Sequence, residues 1–295
     1  MTEPGPSIVP YLKTARSFDA GHCTEYRLNL QASIGTILFS VLNEAGDRCL
    51  ALGSVRDLAR GSGGLVEQVR SFTSFLHRVM ETMPWLEGPF CKKQIIWEGS
   101  ASTLIPAELM IREHMWEYLA FSHKLEAGET VLSDELEHPA AFNVFSVPEK
   151  IRELLTNRFS TDRMTHFSTH FITGILNDYK RRQEHPVLYA LISENHLDVA
   201  LAGPEGLRIH NRFFFVTPED VIYFLLSVLQ QFSIEPQDAR IALAGQVEAG
   251  SHLMELLEKY AGHTELLSAP PSVHVEKEIQ DAPVRKWFCT LTSLH

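Results

Sequence analysis

Pro186-Val187-Leu188-Tyr189-Ala190-Leu191-Ile192, then the polar break Ser193-Glu194-Asn195-His196 and a second apolar run through Ala202, begins the informative stretch, residues 185–262. A continuous apolar run of this length reads as a central strand covered on both faces. Gly203-Pro204-Glu205-Gly206 reads as a hairpin turn, because glycine adopts positive φ freely. Residues 207–216 then alternate: Leu207, Ile209, Phe213 and Phe215 share one face, and Arg208, His210 and Arg212 lead the other. Thr217-Pro218-Glu219-Asp220 is a helix start, with a capping hydroxyl, proline at the first helical position and acids that complement the dipole. Ile241-Ala242-Leu243-Ala244-Gly245 reads as a short buried strand. After a glycine-flanked turn, Leu253, Leu256, Leu257 and Tyr260 mark one face of a helix. The stretch is therefore three strands, a helix, a strand and a helix.

Bulk properties bound the rest. A chain of 295 residues has room for two cores. Its 44% hydrophobic and 21% charged residues are those of an ordinary globular protein. A net charge of −11 speaks against a nucleic-acid groove as the main function. No apolar run reaches the roughly 20 residues of a membrane helix, and residues 1–10 carry no basic or apolar segment of a signal peptide. Cys23, Cys49, Cys91 and Cys289 are far apart and without metal-ligand spacing, which points to a reducing cytoplasm.

The first half repeats the pattern. Residues 1–15 read as a flexible tail, and residues 18–30 enter a sheet. Residues 34–42 and 48–55 are strands joined by the turn Asn43-Glu44-Ala45-Gly46-Asp47. Gly61-Ser62-Gly63-Gly64 reads as a plain turn, lacking the Lys-Ser/Thr ending of a P-loop. Residues 65–80 form an amphipathic helix with Val69, Phe72, Leu76 and Val79 on one stripe, and residues 94–97 a strand. Pro106 starts a further helix, with Met115, Trp116 and Leu119 packing inward. Residues 129–137 are a short acidic strand or loop, residues 140–147 a strand, and Pro148 opens a helix through Phe159. A strand end at residues 163–167 and a helix over residues 168–182 complete the half. The polar run Lys180-Arg181-Arg182-Gln183-Glu184 marks a boundary, giving a first domain at 16–184 with an insert at about 98–140 and a second at 185–295. Residues 221–232 are apolar nearly all round and predict a buried interdomain helix. Residues 264–267 add a strand, and Trp287, Phe288 and Leu291 dock the C-terminal segment.

Two β-β-β-α-β units joined by a helix are the layout of the actin-like ATPase superfamily, with two RNase-H-like domains facing across a cleft. Thr103-Leu104-Ile105-Pro106-Ala107-Glu108-Leu109 and residues 140–150 look like the insert of type IV pilus assembly and cell-division actin-like proteins. With Val131-Leu132-Ser133-Asp134-Glu135-Leu136, Leu197-Asp198-Val199-Ala200 and residues 219–226, the chain resembles a bacterial family of uncharacterised proteins with an actin-like fold. The resemblance implies a nucleotide cleft built from three loops, whose candidate residues here are Ser33, Gly35, Thr36, Ser193, Glu194, Asn195, Gly245, Gln246 and Gly250. Working members carry an Asp-x-Gly loop in each hairpin, where amides hold phosphates and the carboxylate places a metal through water. Here Gly35 and Thr36 have no carboxylate before them. Glu194 has no glycine beside it, and Gln246 stands where a second glycine is usual.

Three altered loops favour a non-catalytic scaffold or interaction protein, with an unidentified protein partner, no cofactor and no catalytic residues. The alternative is an ATP-binding switch or weak phosphotransferase using ATP with Mg. Outside the loops, His166 and His170 have the i, i+4 spacing of a helical metal pair, but a strand-to-helix junction between them weighs against it. His114, His123 and His138 show no ligand spacing. Ser251 reads as a helix cap, since Gly-x-Ser-x-Gly is absent. Of Phe213-Phe214-Phe215, alternation leaves only Phe214 for an outside contact.

Overall fold

A computed structural model describes residues 8–58, 63–161, 163–182, 185–292 and 294. Part of the 61–64 turn and of the 180–184 boundary run, and the first seven residues of the expected tail, lie outside the described residues. The chain divides into two compact units, Met1–Thr169 with Val273–Ala282, and His170–Ser272 with Pro283–His295. The division falls near the N-terminal end of the helix that ends at Arg182, ahead of the polar run, and a segment near the C-terminus belongs to the first unit.

In the first unit, β1 (Ile8–Thr14), β2 (Tyr26–Ser33), β3 (Thr36–Asn43) and β4 (Arg48–Asp57) precede the helix α1 (Leu65–Thr82). β5 (Lys92–Trp97) follows. Then come β6 (Ser102–Pro106), α2 (Met115–Ala120), β7 (Glu129–Leu136), β8 (Ala141–Pro148), α3 (Glu149–Phe159) and β9 (Met164–His166). Residues 8–14 are a strand, not a tail: β1 pairs antiparallel with β4, from Ile8 opposite Asp57 to Thr14 opposite Ala51. β1 borders the sheet, and a border strand tolerates Pro10 because its outer edge needs no ladder donor. The segment after Pro106 is also not one long helix. Two short 3-10 turns, Ala107–Leu109 and Arg112–His114, precede α2, whose Leu119 is buried while Trp116 is 44% exposed.

The second unit contains most of α4 (Phe167–Arg182), then β10 (Val187–Ile192), β11 (His196–Gly203), β12 (Gly206–Phe214), α5 (Pro218–Gln231), β13 (Arg240–Gly245), α6 (His252–Tyr260) and β14 (His263–Leu266). β15 (His274–Val275) returns to β4 of the first unit, and α7 (Phe288–Leu291) ends the second with Trp287, Phe288 and Leu291 buried. Thr217 closes a capping box on α5: its hydroxyl accepts from the Asp220 amide, and the Asp220 carboxylate accepts from the Thr217 amide. α5 is not buried all round. Val221, Leu225, Val228 and Leu229 enter the core of the second unit, while Tyr223 is 67% exposed. Phe213 stacks on Phe224 at 4.5 Å, and Phe214, on the opposite face of the strand, is 63% exposed.

The duplication is literal in the sheets. The order β4-β3-β2-β5-β9 in the first unit matches β12-β11-β10-β13-β14 in the second. In both, the first two pairings are antiparallel and the last two parallel. The first unit adds β1 and β15 beside β4, and a separate three-stranded sheet, β6-β8-β7, between β5 and β9. That sheet is the insert, and it takes in β8 as well as the residues up to 140. Its end leads back through α3 to β9, so the insert meets the main sheet where β9 turns into α4.

Candidate functional site

Equivalent strands place equivalent loops. Ser33 pairs with Thr36 across the two-residue turn Ile34-Gly35, and in the second unit Ser193 donates its amide to His196 across Glu194-Asn195. Ala32 pairs with Trp97, and Ile192 with Gly245. The next residues repeat the geometry too: the Glu98 amide donates to the Ala32 carbonyl at 2.9 Å, and the Gln246 amide to the Ile192 carbonyl at 2.7 Å. Each unit thus carries a hairpin tip beside the exit of its parallel neighbour strand, at the carboxyl end where open α/β sheets take ligands. Ser33, Gly35 and Thr36 come together in the first unit. Ser193, Glu194 and Asn195 meet Gly245 and Gln246 in the second, with Gly250 farther along the loop into α6.

The two tips differ in detail. Gly35 has φ 96°, which requires glycine, and its carbonyl accepts from the Asp57 amide at 2.8 Å. Ile34 packs on the core of its unit. No residue of Ser193-Glu194-Asn195-His196 has positive φ, so that turn forms without glycine. Gly245 has φ 85°, and a Cβ there would stand 2.0 Å from the Ile192 carbonyl oxygen. Its glycine is required by backbone lying on backbone. Gly250, at φ 72°, faces open space, and the Ser251 hydroxyl caps α6 by accepting from the Met254 amide.

One acidic group that sequence reading missed belongs to this geometry. Glu98 Oε2 accepts from the Gln31 amide group at 2.8 Å, so a carboxylate stands beside the first hairpin although none precedes Gly35. It comes from β5, and only the parallel β2–β5 register brings it there.

Two buried polar clusters were also not assembled from sequence. In the second unit, Asp198 of β11 faces Arg212 of β12, with Nε 3.2 Å from both carboxylate oxygens, and His210 and His196 approach at 3.4 and 3.7 Å. Burial pushes the Asp198 carboxyl up, but Arg212, His210 and His196 together hold it well below the usual carboxylate range. In the first unit, Asp134 Oδ2 accepts from the His166 amide at 2.7 Å and from the Thr169 hydroxyl at 2.6 Å. Asn143 donates to Ser168 Oγ and Thr169 Oγ1, both at 2.9 Å. The His166 ring lies between Ser168 Oγ at 2.6 Å and the Gly99 carbonyl at 3.2 Å. Ser168 and His166 are enclosed, so their proximity forms no accessible nucleophile. His170 is enclosed as well, with Nδ1 2.9 Å from the Thr292 carbonyl. Among the described residues no group of three or more His, Cys, Asp or Glu is placed to hold a metal, and no helix is long and apolar enough to cross a membrane.

Two β-β-β-α-β units of one strand order, each with a hairpin tip beside a parallel strand exit, define an actin-like ATPase fold. The chain belongs to the family described as "Protein of unknown function (DUF3822)", which matches residues 15–264. A crystal structure of a Bacteroides thetaiotaomicron protein with actin-like ATPase fold and unknown function is similar, with TM-score 0.75, 20% identity, and 94% of this chain and 99% of that chain covered. A second similar structure is the PilM–PilN type IV pilus biogenesis complex, with TM-score 0.57, 14% identity, and 90% and 96% covered. No curated protein matches the chain in sequence.

Proposed function

We propose that this chain is a non-catalytic interaction protein that keeps the actin-like architecture and works in the cytoplasm through a protein partner. The observation that carries the reading is the use of Gly245: its freedom is taken up by contact with the Ile192 carbonyl, and the turn at Glu194-Asn195 has no left-handed residue. The Glu194-Asn195 turn is thereby not shaped for close backbone approach to a phosphate, and Gly245 is given over to strand contact. The first tip keeps Gly35 but has no acid before it. A structure of this fold in the PilM–PilN complex supports protein assembly as a use of the architecture.

A second reading, an ATP-binding switch with Mg, draws support from Glu98, a carboxylate delivered to the first hairpin from β5. Thermal unfolding with ATP and Mg²⁺ separates the two. A ligand at about 100 times its dissociation constant adds roughly 2.7 kcal/mol. The interaction reading expects no shift up to millimolar nucleotide. A shift that disappears in Glu98→Gln and Glu194→Ala, with stoichiometric turnover, would replace it by the switch.

A further inference from the structure

The join between the insert and the N-terminus of α4 contains an acid in an unusual setting. Asp134 of β7 and Asn143 of β8 stand opposite each other in register, and both reach Thr169 Oγ1. Asp134, Asn143, Ser168 and Thr169 are all buried. The proton inventory of this group is nearly fixed. Thr169 has one hydroxyl proton, directed to Asp134 Oδ2, so its oxygen must accept from Asn143. The Asn143 group facing Thr169 is therefore the NH₂, and its carbonyl oxygen Oδ1 points away. That Oδ1 is buried and accepts no hydrogen bond.

A buried amide oxygen without a donor is costly. Both bonds accepted by Asp134 fall on Oδ2, the role of a carbonyl oxygen. This leaves Oδ1 as the oxygen that a proton would occupy. We propose that Asp134 is a protonation-dependent latch: as a neutral acid its Oδ1–H donates to Asn143 Oδ1, closing the network that ties the insert sheet to β9 and the first turn of α4. Ionisation removes that donor from Asn143 and puts a charge in an enclosed site. The join then loosens.

The surroundings agree with this direction. Burial raises the Asp134 carboxyl to about 6, against the opposing pull of the Thr169 hydroxyl, the His166 amide and the Arg163 charge. Arg163, just before β9, is the charged group acting on it. From β9 itself the titratable group is His166, whose ring is engaged by Ser168 and Gly99. α4 presents Ser168 and Thr169 and β8 presents Asn143, none of which titrates in this range.

The test is the carboxyl ¹³C resonance of Asp134 in ¹³C-aspartate-labelled protein, assigned from the backbone, followed from pH 4.5 to 8. The latch requires a midpoint near 6. It also requires that Asn143→Leu, which removes the acceptor and keeps the volume, move the midpoint down. A wild-type midpoint at or below the ordinary aspartate value near 4, or one that Asn143→Leu leaves in place, overturns the proposal. Asp134→Asn supplies a permanent donor and cannot titrate. Relative to it, the wild-type unfolding constant should rise roughly 25-fold from pH 4.5 to 8, given a folded pKa of about 6 and an unfolded value of 3.8. A ratio that does not change with pH would show that Asp134 only fills space.

Discussion

At the scale of the residue, Gly245 and Gly250 are a matched pair for testing what the glycine-rich turn is for. Both have positive φ, at 85° and 72°, but a Cβ at Gly245 meets the Ile192 carbonyl oxygen at 2.0 Å, whereas at Gly250 it meets nothing within 4 Å. Gly250→Ala should therefore cost only the left-handed penalty, about 1–2 kcal/mol. Gly245→Ala carries the same penalty and a backbone collision, and should cost at least ~3 kcal/mol in urea unfolding. Equal costs would mean that the β10–β13 contact yields readily, and that Gly245 is free for another role. Sequence reading found both glycines, because glycine between a buried strand and a helix start is a local signal. It could not say why Gly245 is glycine, since the Ile192 carbonyl arrives from 53 positions away through strand register. Asp134 was missed for a different reason. Its alternation with Leu132 and Leu136 places it on the inward face of β7, but the acidity of residues 129–137 points to a surface segment and masks a carboxylate set between leucines.

At the scale of the element, sequence rules succeeded where the signal was local and failed where the neighbours decided. The α5 start was legible in full: Thr217, Pro218 and Asp220 do what their types predict, and Asp220 adds the reciprocal bond of a capping box. Thr217→Ala should lower stability by about 1 kcal/mol, read as a lower urea midpoint with an unchanged slope. The body of α5 was misread because aromatic side chains count as apolar in any pattern, while Tyr223 lies at the surface and its neighbour Phe224 stacks on Phe213. Tyr223→Ser should accordingly stay within about 0.5 kcal/mol of the parent. A loss of 2 kcal/mol or more would restore the buried-helix reading. β1 fails in the opposite direction: residues 8–14 carry no strong strand signal of their own, and pairing along β4 makes them an edge strand that tolerates Pro10.

At the scale of the whole molecule, the repeat supplies two units of one topology, and each buries an aspartate with opposite consequences for pH. Asp134 in the first unit has a raised folded pKa, so its contribution is present in full below 3.8 and is lost as pH rises through about 6. Asp198 in the second has a folded pKa held below its unfolded value. Its contribution is therefore present above 3.8 and is lost as pH falls below that. In a single unfolding free energy the two responses add, so the opposite signs are not separated there. Amide hydrogen exchange, corrected for the intrinsic pH dependence, resolves them. From pH 7 to pH 5 the protection of β7, β8 and the start of α4 should increase, and below pH 4 that of β10, β11 and β12 should fall first. Asp198→Asn removes the counter-charge of the largely buried Arg212, and should cost about 3–5 kcal/mol at pH 7 while abolishing the acid loss. Uniform loss of protection across both units at one pH, in the parent and in Asp198→Asn alike, would show that the two clusters do not govern the stability of the units that contain them. The folds of the two units are copies, but their buried charges are not: Asp198 aligns with Leu38 when the hairpins at Ser33 and Ser193 are superposed by register. The duplicated architecture is therefore legible in runs, turns and caps, whereas the chemistry that distinguishes the units depends on side chains that the repeat does not share.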